Sequence, residues 1–250
     1  MKILVCVKAV NSMLIQKNEA SEISRLTLNP YDTYSLLRAI ELKNQNPESK
    51  ITCLCMGPEA AKEVLTRCLA MGADDAILVT DVAFAGADTY ATTLTLVKAI
   101  ETIPYDLIFC GKCSVDGETG QVAGGLAARL GICCFTEVER VNVEKDSLCV
   151  TYADDEVYRT VLVSYPLVLS FSDFCVQSIV NLFALKKAKK KQIHILRIED
   201  LAVKSEECGS SGSKTMVCKT SSNIKASQRE VKFIDENIEA FLIAQIKKNW

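Results

Sequence analysis

The sequence holds a single histidine, His194, in 250 residues. Without a second imidazole, a histidine-based metal centre or a Ser-His or Cys-His nucleophile pair has little to be built from, so an acid-base enzyme is not expected. Long apolar runs are missing as well. The longest, such as 166–171, fall far short of the roughly 18 residues that suggest a membrane span, and none is expected. There is no excess of one charge: 29 Lys and Arg stand against 31 Asp and Glu, a net charge of -2 that gives nucleic acid no general attraction. Neither Gly-x-Gly-x-x-Gly nor the P-loop pattern occurs. The amino terminus, Met1-Lys-Ile-Leu-Val-Cys6, reads directly as a strand without the parts of a secretion signal, which makes a cytoplasmic chain the expectation.

Cysteine is what the sequence has in quantity, twelve residues in all. Several (Cys6, Cys53, Cys55, Cys110) lie inside apolar strand-like runs of a leaderless chain, where reduced core thiols are expected rather than a disulfide framework. Cys110-Gly-Lys-Cys113 has the spacing of a dithiol redox site and keeps open a dithiol oxidoreductase as a competing class.

Apolar runs alternate with helical patterns. Strands are expected at 2–7, 51–56, 76–80 and 106–110, and helices at 31–44, 59–71, 89–102 and 119–130. Continuous apolar strands joined by helices indicate a doubly wound, mostly parallel α/β sheet covered on both faces. Gly57-Pro58 opens one helix and Gly72 stops it. From about 138 the pattern changes to short alternating strands, 147–152 and 157–164, which predict an antiparallel hairpin added to the sheet. An α/β domain is therefore expected over 1–200. Residues 201–250 read as an extended linker, containing Gly209-Ser-Ser-Gly-Ser213, and a terminal helix with Ile234, Ile238, Phe241, Leu242 and Ile246 on one face, suited to docking on a partner subunit.

In such a sheet the ligand sits beyond the carboxyl ends of the strands where the strand order reverses, so the loops beginning at Lys8 and Gly111 are the ones that matter. The loop Gly111 to Gln121 is rich in small and hydroxyl residues. At a helix start, Gly117, Thr119 and Gly120 would let backbone N–H groups approach a phosphate. The segment 81–92 offers a second helix start, with Asp88 as N-cap and Thr89, Thr92 and Thr93 on one face. Either loop alone could equally be an ordinary glycine-bearing turn or a capped helix. The lysine run 186–191, without interleaved aromatics, reads as a solvated face, and the preceding Leu182 to Leu185 as an exposed apolar candidate for docking.

Six segments in register (2–8, 28–32, 56–58, 70–75, 111–121 and 187–191) resemble the β subunit of electron-transfer flavoproteins over residues 1 to about 200. The resemblance implies an adenine nucleotide α hydrolase-like fold and a heterodimer with an electron-transfer flavoprotein α subunit. It also implies electron exchange with an acyl-CoA or other flavin dehydrogenase. The nucleotide-contacting positions it implies are Cys6, Asn29, Asp32 and Met56, then Gly111, Lys112, Cys113, Ser114, Asp116, Gly117, Thr119, Gly120, Gln121 and Val122. The stretch with Phe84, Gly86, Ala87, Asp88, Thr89 and Thr92 is similar to the electron-bifurcating branch, whose β subunit holds FAD where others hold AMP. FAD is accordingly expected, with AMP as the alternative in a scaffold subunit. Asn181, Leu182 and Leu185 match the segment that docks the dehydrogenase. The chain is thus expected to be an electron carrier whose redox chemistry belongs to the flavin, with Asp116 and Thr119 foremost among the cofactor contacts.

Overall fold

The structure is a computed structural model and describes residues 1–15, 25–144, 147–176 and 180–218. The terminal helix expected over 234–246 lies outside the described residues. Residues Met1–Met216 form one compact unit.

The chain runs β1 (Lys2–Val7), β2 (Ala9–Asn11), β3 (Leu26–Leu28), α1 (Pro30–Gln45), β4 (Lys50–Met56), α2 (Lys62–Met71), β5 (Asp75–Val79), α3 (Thr89–Ile100), β6 (Leu107–Gly111) and α4 (Val122–Leu130). It continues through β7 (Cys133–Phe135), β8 (Val138–Glu144), β9 (Ser147–Asp154), β10 (Val157–Val163), β11 (Leu167–Phe171), α5 (Leu182–Ala188), β12 (His194–Leu196) and α6 (Gly209–Gly212). Seven strands form one parallel sheet in the order β12-β5-β4-β1-β6-β11-β7. Its central strands are apolar throughout because both faces are covered. One face packs Val5, Cys53, Leu107, Leu169 and Phe171 against α1 and α2, and the other packs Leu4, Leu54, Ile108 and Val168 against α3 and α4. After β1 the chain adds β4 and β5 on one side and then returns to place β6 on the other, so the strand order reverses between β1 and β6. The helix stop expected at Gly72 is observed: Gly72 ends α2 at φ +137°.

Three expectations are corrected. The hairpin is not added to the main sheet: β8, β9 and β10 form a separate antiparallel sheet. Along β8 and β9 alternate residues turn inward, and Val138, Leu148 and Val150 join the core that contains Phe171. That alternation is the signature of a sheet buried on one face, which the buried parallel sheet could not accommodate as a further strand. The helix expected from 119 begins only at Val122, since Glu118 (φ +49°) and Gly120 (φ +65°) are left-handed and cannot propagate a right-handed helix. The glycine- and serine-rich stretch near 209 is no free linker. Ser210 N–H donates to Ala85 O at 2.9 Å, and Cys208, Gly209 and Gly212 are buried. These glycines serve contact: a Cβ would lie 2.3 Å from Ala83 O at Gly209 and 2.0 Å from Glu207 O at Gly212.

Helix α4 carries two adjacent glycines in unlike surroundings, and their substitution separates packing from backbone entropy. At Gly125 a Cβ would meet Thr93 Cγ2 at 2.8 Å, while at Gly124 nothing lies within 4 Å. Gly125→Ala is expected to lower the unfolding free energy by about 1–3 kcal/mol, and Gly124→Ala to raise it by roughly 0.5–1 kcal/mol. Urea unfolding of the two variants reads both, and equal effects would refute the packing assignment.

Candidate functional site

Beyond the carboxyl ends of β1, β4, β5 and β6 opens a cleft of about 1070 Å³. Its floor is the switch point itself. Asp32, at the start of α1, is buried and accepts the N–H of Lys8 at 2.8 Å and that of Gly111, so one carboxylate joins the ends of β1 and β6. No other residue fits at 111, because a Cβ would lie 2.5 Å from Asp32 Oδ1 and 2.7 Å from Tyr31 Cβ. Burial pushes the Asp32 carboxyl up to about 7, against the lowering effect of the Lys8, Asn29 and Gly111 hydrogen bonds.

Asn29 is fully buried and holds the second loop from below. Its Nδ2 donates to Cys113 O at 2.8 Å, and its Oδ1 accepts Val115 N–H at 3.3 Å. Above that anchor the loop turns through Glu118 and Gly120. Among the described residues, no hydrogen bond uses the backbone N–H of Gly117, Thr119 or Gly120. Unused donors on a glycine-bearing turn are what an anion-binding concavity requires. These stand ahead of α4 rather than in its first turn.

The start of α3 faces this loop, with the Thr89 hydroxyl 3.3 Å from that of Thr119. Asp88 is the N-cap, as its Oδ1 accepts Ala91 N–H at 2.9 Å. Its other oxygen accepts the N–H of Lys214 at 2.7 Å, the N–H of Thr215 at 2.9 Å and the Thr215 hydroxyl at 3.0 Å. Burial would raise this carboxyl, yet the hydrogen bonds from Ala91, Thr215 and Lys214 outweigh it and hold it down at about 2. The threonines do not share one environment. Thr89 and Thr92 line the cleft, while Thr93 is buried, donates to Tyr90 O and accepts from Arg129 Nε at 3.2 Å.

The expected positions Cys6, Asn29, Asp32, Met56, Phe84, Gly86, Ala87, Asp88, Thr89 and Thr92 all line the cleft, as do Gly111 to Ser114, Gly117 and Thr119 to Val122. Asp116 does not. Its carboxylate pairs with Lys8 Nζ at 2.7 Å, which, with Ser114, outweighs burial and lowers its pKa. Leu54, Met56, Phe84 and Leu96, which pack in one cluster, give the cleft an apolar wall. Sequence reasoning missed Leu54, Thr80 and Arg197, which stand in or just beyond β4, β5 and β12 and follow from the same rule of strand ends once the sheet order is known. It also missed Lys214 and Thr215, for which no local pattern gives a signal. Cys110 and Cys113 are free thiols. Hydrogen bonding to Cys6 and burial raise Cys110, and burial raises Cys113, so neither has the depressed pKa of a reactive thiol.

A profile of the electron transfer flavoprotein domain matches residues 20–201. The chain belongs to the electron transfer flavoprotein family. It is 41% identical over 196 residues to an electron transfer flavoprotein subunit beta of Thermoanaerobacterium thermosaccharolyticum, covering 78% of this chain and 75% of that protein. Against the subunit beta of Clostridium acetobutylicum it is 34% identical over 263 residues, covering 99% and 98%. The caffeyl-CoA reductase-Etf complex subunit CarD of Acetobacterium woodii is 34% identical over 229 residues, covering 87% and 86%. Membership of the electron transfer flavoprotein family makes electron transfer the role of this chain. No helix among the described residues is long and apolar enough to cross a membrane.

The Asp32 carboxyl ties the cleft to pH. Its folded pKa, about 7, exceeds its ordinary value of 3.8, so the stability it contributes is complete below about 4 and is lost as the pH rises through about 7. The difference in unfolding free energy between the wild type and Asp32→Asn is expected to shift against the wild type by up to ~4 kcal/mol across that window. Urea titrations at several pH values from 4 to 8 measure it, and a difference independent of pH would refute the assignment.

Proposed function

We propose that this chain is the β subunit of a heterodimeric electron-transfer flavoprotein and holds FAD in the cleft, passing electrons between a flavin dehydrogenase and an acceptor. The observation that carries this reading is the mixed lining of the cleft. Free N–H groups at Gly117, Thr119 and Gly120 lie on the loop that faces the start of α3, and Leu54, Met56, Phe84 and Leu96 supply an apolar wall. At about 1070 Å³ the cleft lies just above the range of about 300–1,000 Å³ usual for small-molecule sites, which suits a dinucleotide better than a mononucleotide. FAD, when bound, supplies the redox chemistry. Asp32 and Asn29 hold the two loops apart at a fixed spacing, Gly117, Thr119 and Gly120 present donors to phosphate, the hydroxyls of Thr89, Thr92 and Thr119 offer further polar contacts, and the apolar wall excludes water. An Asp residue at 116 serves by fixing Lys8 at the rim.

The family reading supplies an α subunit as partner. The name of the Acetobacterium relative joins that protein to a caffeyl-CoA reductase, and by analogy an acyl-CoA or other flavin dehydrogenase is the proposed redox partner here, with electron bifurcation as the mode. Support for its docking place comes from α5. Asn181 caps it by accepting Phe183 N–H at 2.7 Å, which leaves Leu182 and Phe183 exposed at 74% and 80%, with Leu185 half-buried behind them. Such a patch at a helix start resembles an interface anchor.

Two measurements test the proposal. After co-expression with its α subunit, the denatured heterodimer is expected to release two FAD and no AMP. One FAD with one AMP would make this chain a nucleotide-plugged scaffold, and no nucleotide would end the reading. Leu182→Ser with Phe183→Ser is expected to leave that content unchanged while slowing electron exchange with the dehydrogenase by about tenfold or more. Unaltered exchange kinetics would place docking elsewhere.

A further inference from the structure

Four cationic side chains line the cleft: Lys8, Lys112, Arg197 and Lys214. Three are already neutralised. Lys8 Nζ is 2.7 Å from Asp116, Lys112 Nζ is 2.7 Å from Glu137, and Arg197 Nη2 is 2.8 Å from Glu59. Lys214 alone among these has no carboxylate partner among the described residues. Its ammonium lies 5.2 Å from the centroid of the Tyr90 ring, a cation–π contact that positions the charge without neutralising it.

The position of Lys214 is built rather than incidental. Residues 205–216 form a strap across the start of α3. It is fixed by Ser210 N–H on Ala85 O, by Ser213 Oγ, which accepts Asp88 N–H at 2.8 Å, and by the Asp88 Oδ2 oxygen, which accepts the N–H groups of Lys214 and Thr215. Gly209 and Gly212 permit its close approach. The strap therefore brings beside Tyr90 an ammonium without a carboxylate partner among the described residues, next to the start of α3 that faces the unused N–H groups of Gly117, Thr119 and Gly120. Backbone donors orient an anion, but a dinucleotide's diphosphate carries charge that dipoles alone compensate only in part.

The geometry points to Lys214 as the phosphate-neutralising residue of the cleft, supplied by a strap that lies beyond the matched family domain at 20–201. This inference rests on the nucleotide-binding reading of the cleft and assigns a binding residue that the reading itself does not contain. Phosphate-bearing ligands depend on Lys214, and the bare nucleoside does not.

The test uses the purified heterodimer carrying Lys214→Ala, Lys214→Arg or Asp88→Asn. The Asn variant retains an oxygen for the helix cap but replaces the acceptor of Lys214 and Thr215 with an amide donor, so it frees the end of the strap that carries Lys214 and spares α3. Nucleotide loss on dilution of the complex as isolated is followed by flavin fluorescence. Refilling is then titrated with FAD, ADP and adenosine at several salt concentrations. Lys214→Ala is expected to weaken FAD and ADP by about ten- to hundredfold and to leave adenosine within about twofold, with a shallower salt dependence for ADP. Lys214→Arg regains most of the affinity, Asp88→Asn matches the alanine variant, and the double variant loses no more than either. Unchanged ADP affinity in Lys214→Ala, or an equal loss for adenosine, overturns the assignment while wild-type FAD binding leaves the function of the cleft standing. A wild-type complex that takes up neither FAD nor ADP overturns both.

Discussion

The cleft depends on one close approach, that of Gly111 to the first turn of α1. Parallel pairing of β1 with β6 leaves two strand ends side by side, and each presents an N–H that the ladder no longer uses. The Asp32 carboxylate takes both, which is possible only because residue 111 has no Cβ to occupy the same space. The cost is a buried carboxyl whose pKa rises toward neutrality. Two backbone donors and Asn29 offset part of that cost, and the residue that looks least suited to a core is the one that fixes the spacing of the two loops.

Charge at the rim follows a different rule from charge at the floor. Lys8, Lys112 and Arg197 each face a carboxylate at about one-third to one-half exposure, where an ion pair contributes little to stability. Their value is positional. Pairing with Asp116 keeps the Lys8 side chain at the mouth of the second loop, so that the loop from β1 and the loop from β6 are joined above as well as below. Asp116 is thus better understood as a clamp between loops than as a ligand contact.

Most of this sheet was legible in the sequence because its strands are continuous apolar runs and its helices are punctuated by Gly57-Pro58 and Gly72. Legibility failed where tertiary contact overrides local pattern. A glycine needed for a left-handed turn, such as Gly120, cannot be told by sequence from one inside a helix start, and the expected helix therefore began three residues early. Alternation along β8 to β10 revealed strands but not which sheet they join, since that is decided by which face Val138, Leu148 and Val150 bury. Of the cleft, the loops that carry small residues were found, and the strand ends at Leu54, Thr80 and Arg197 were not, because their inclusion depends on sheet order.

The stretch around Gly209 shows why composition misleads in one particular way. Glycine and serine together signal freedom of the unfolded chain, yet the same residues allow backbone to meet backbone in the folded one. Gly209 against Ala83 O and Gly212 against Glu207 O use glycine for contact, and Ser210 and Ser213 supply the hydrogen bonds that a freely solvated linker would give to water. Asp88 completes the arrangement because its two oxygens serve different masters, one the helix and one the strap. A segment with no apolar period therefore acquires a fixed place through the end of a helix that does have one. The consequence for the cleft is that one wall is assembled from residues more than a hundred positions apart, with Lys214 and Thr215 tied to it by a single carboxylate. Its pKa of about 2 keeps it charged at neutral pH.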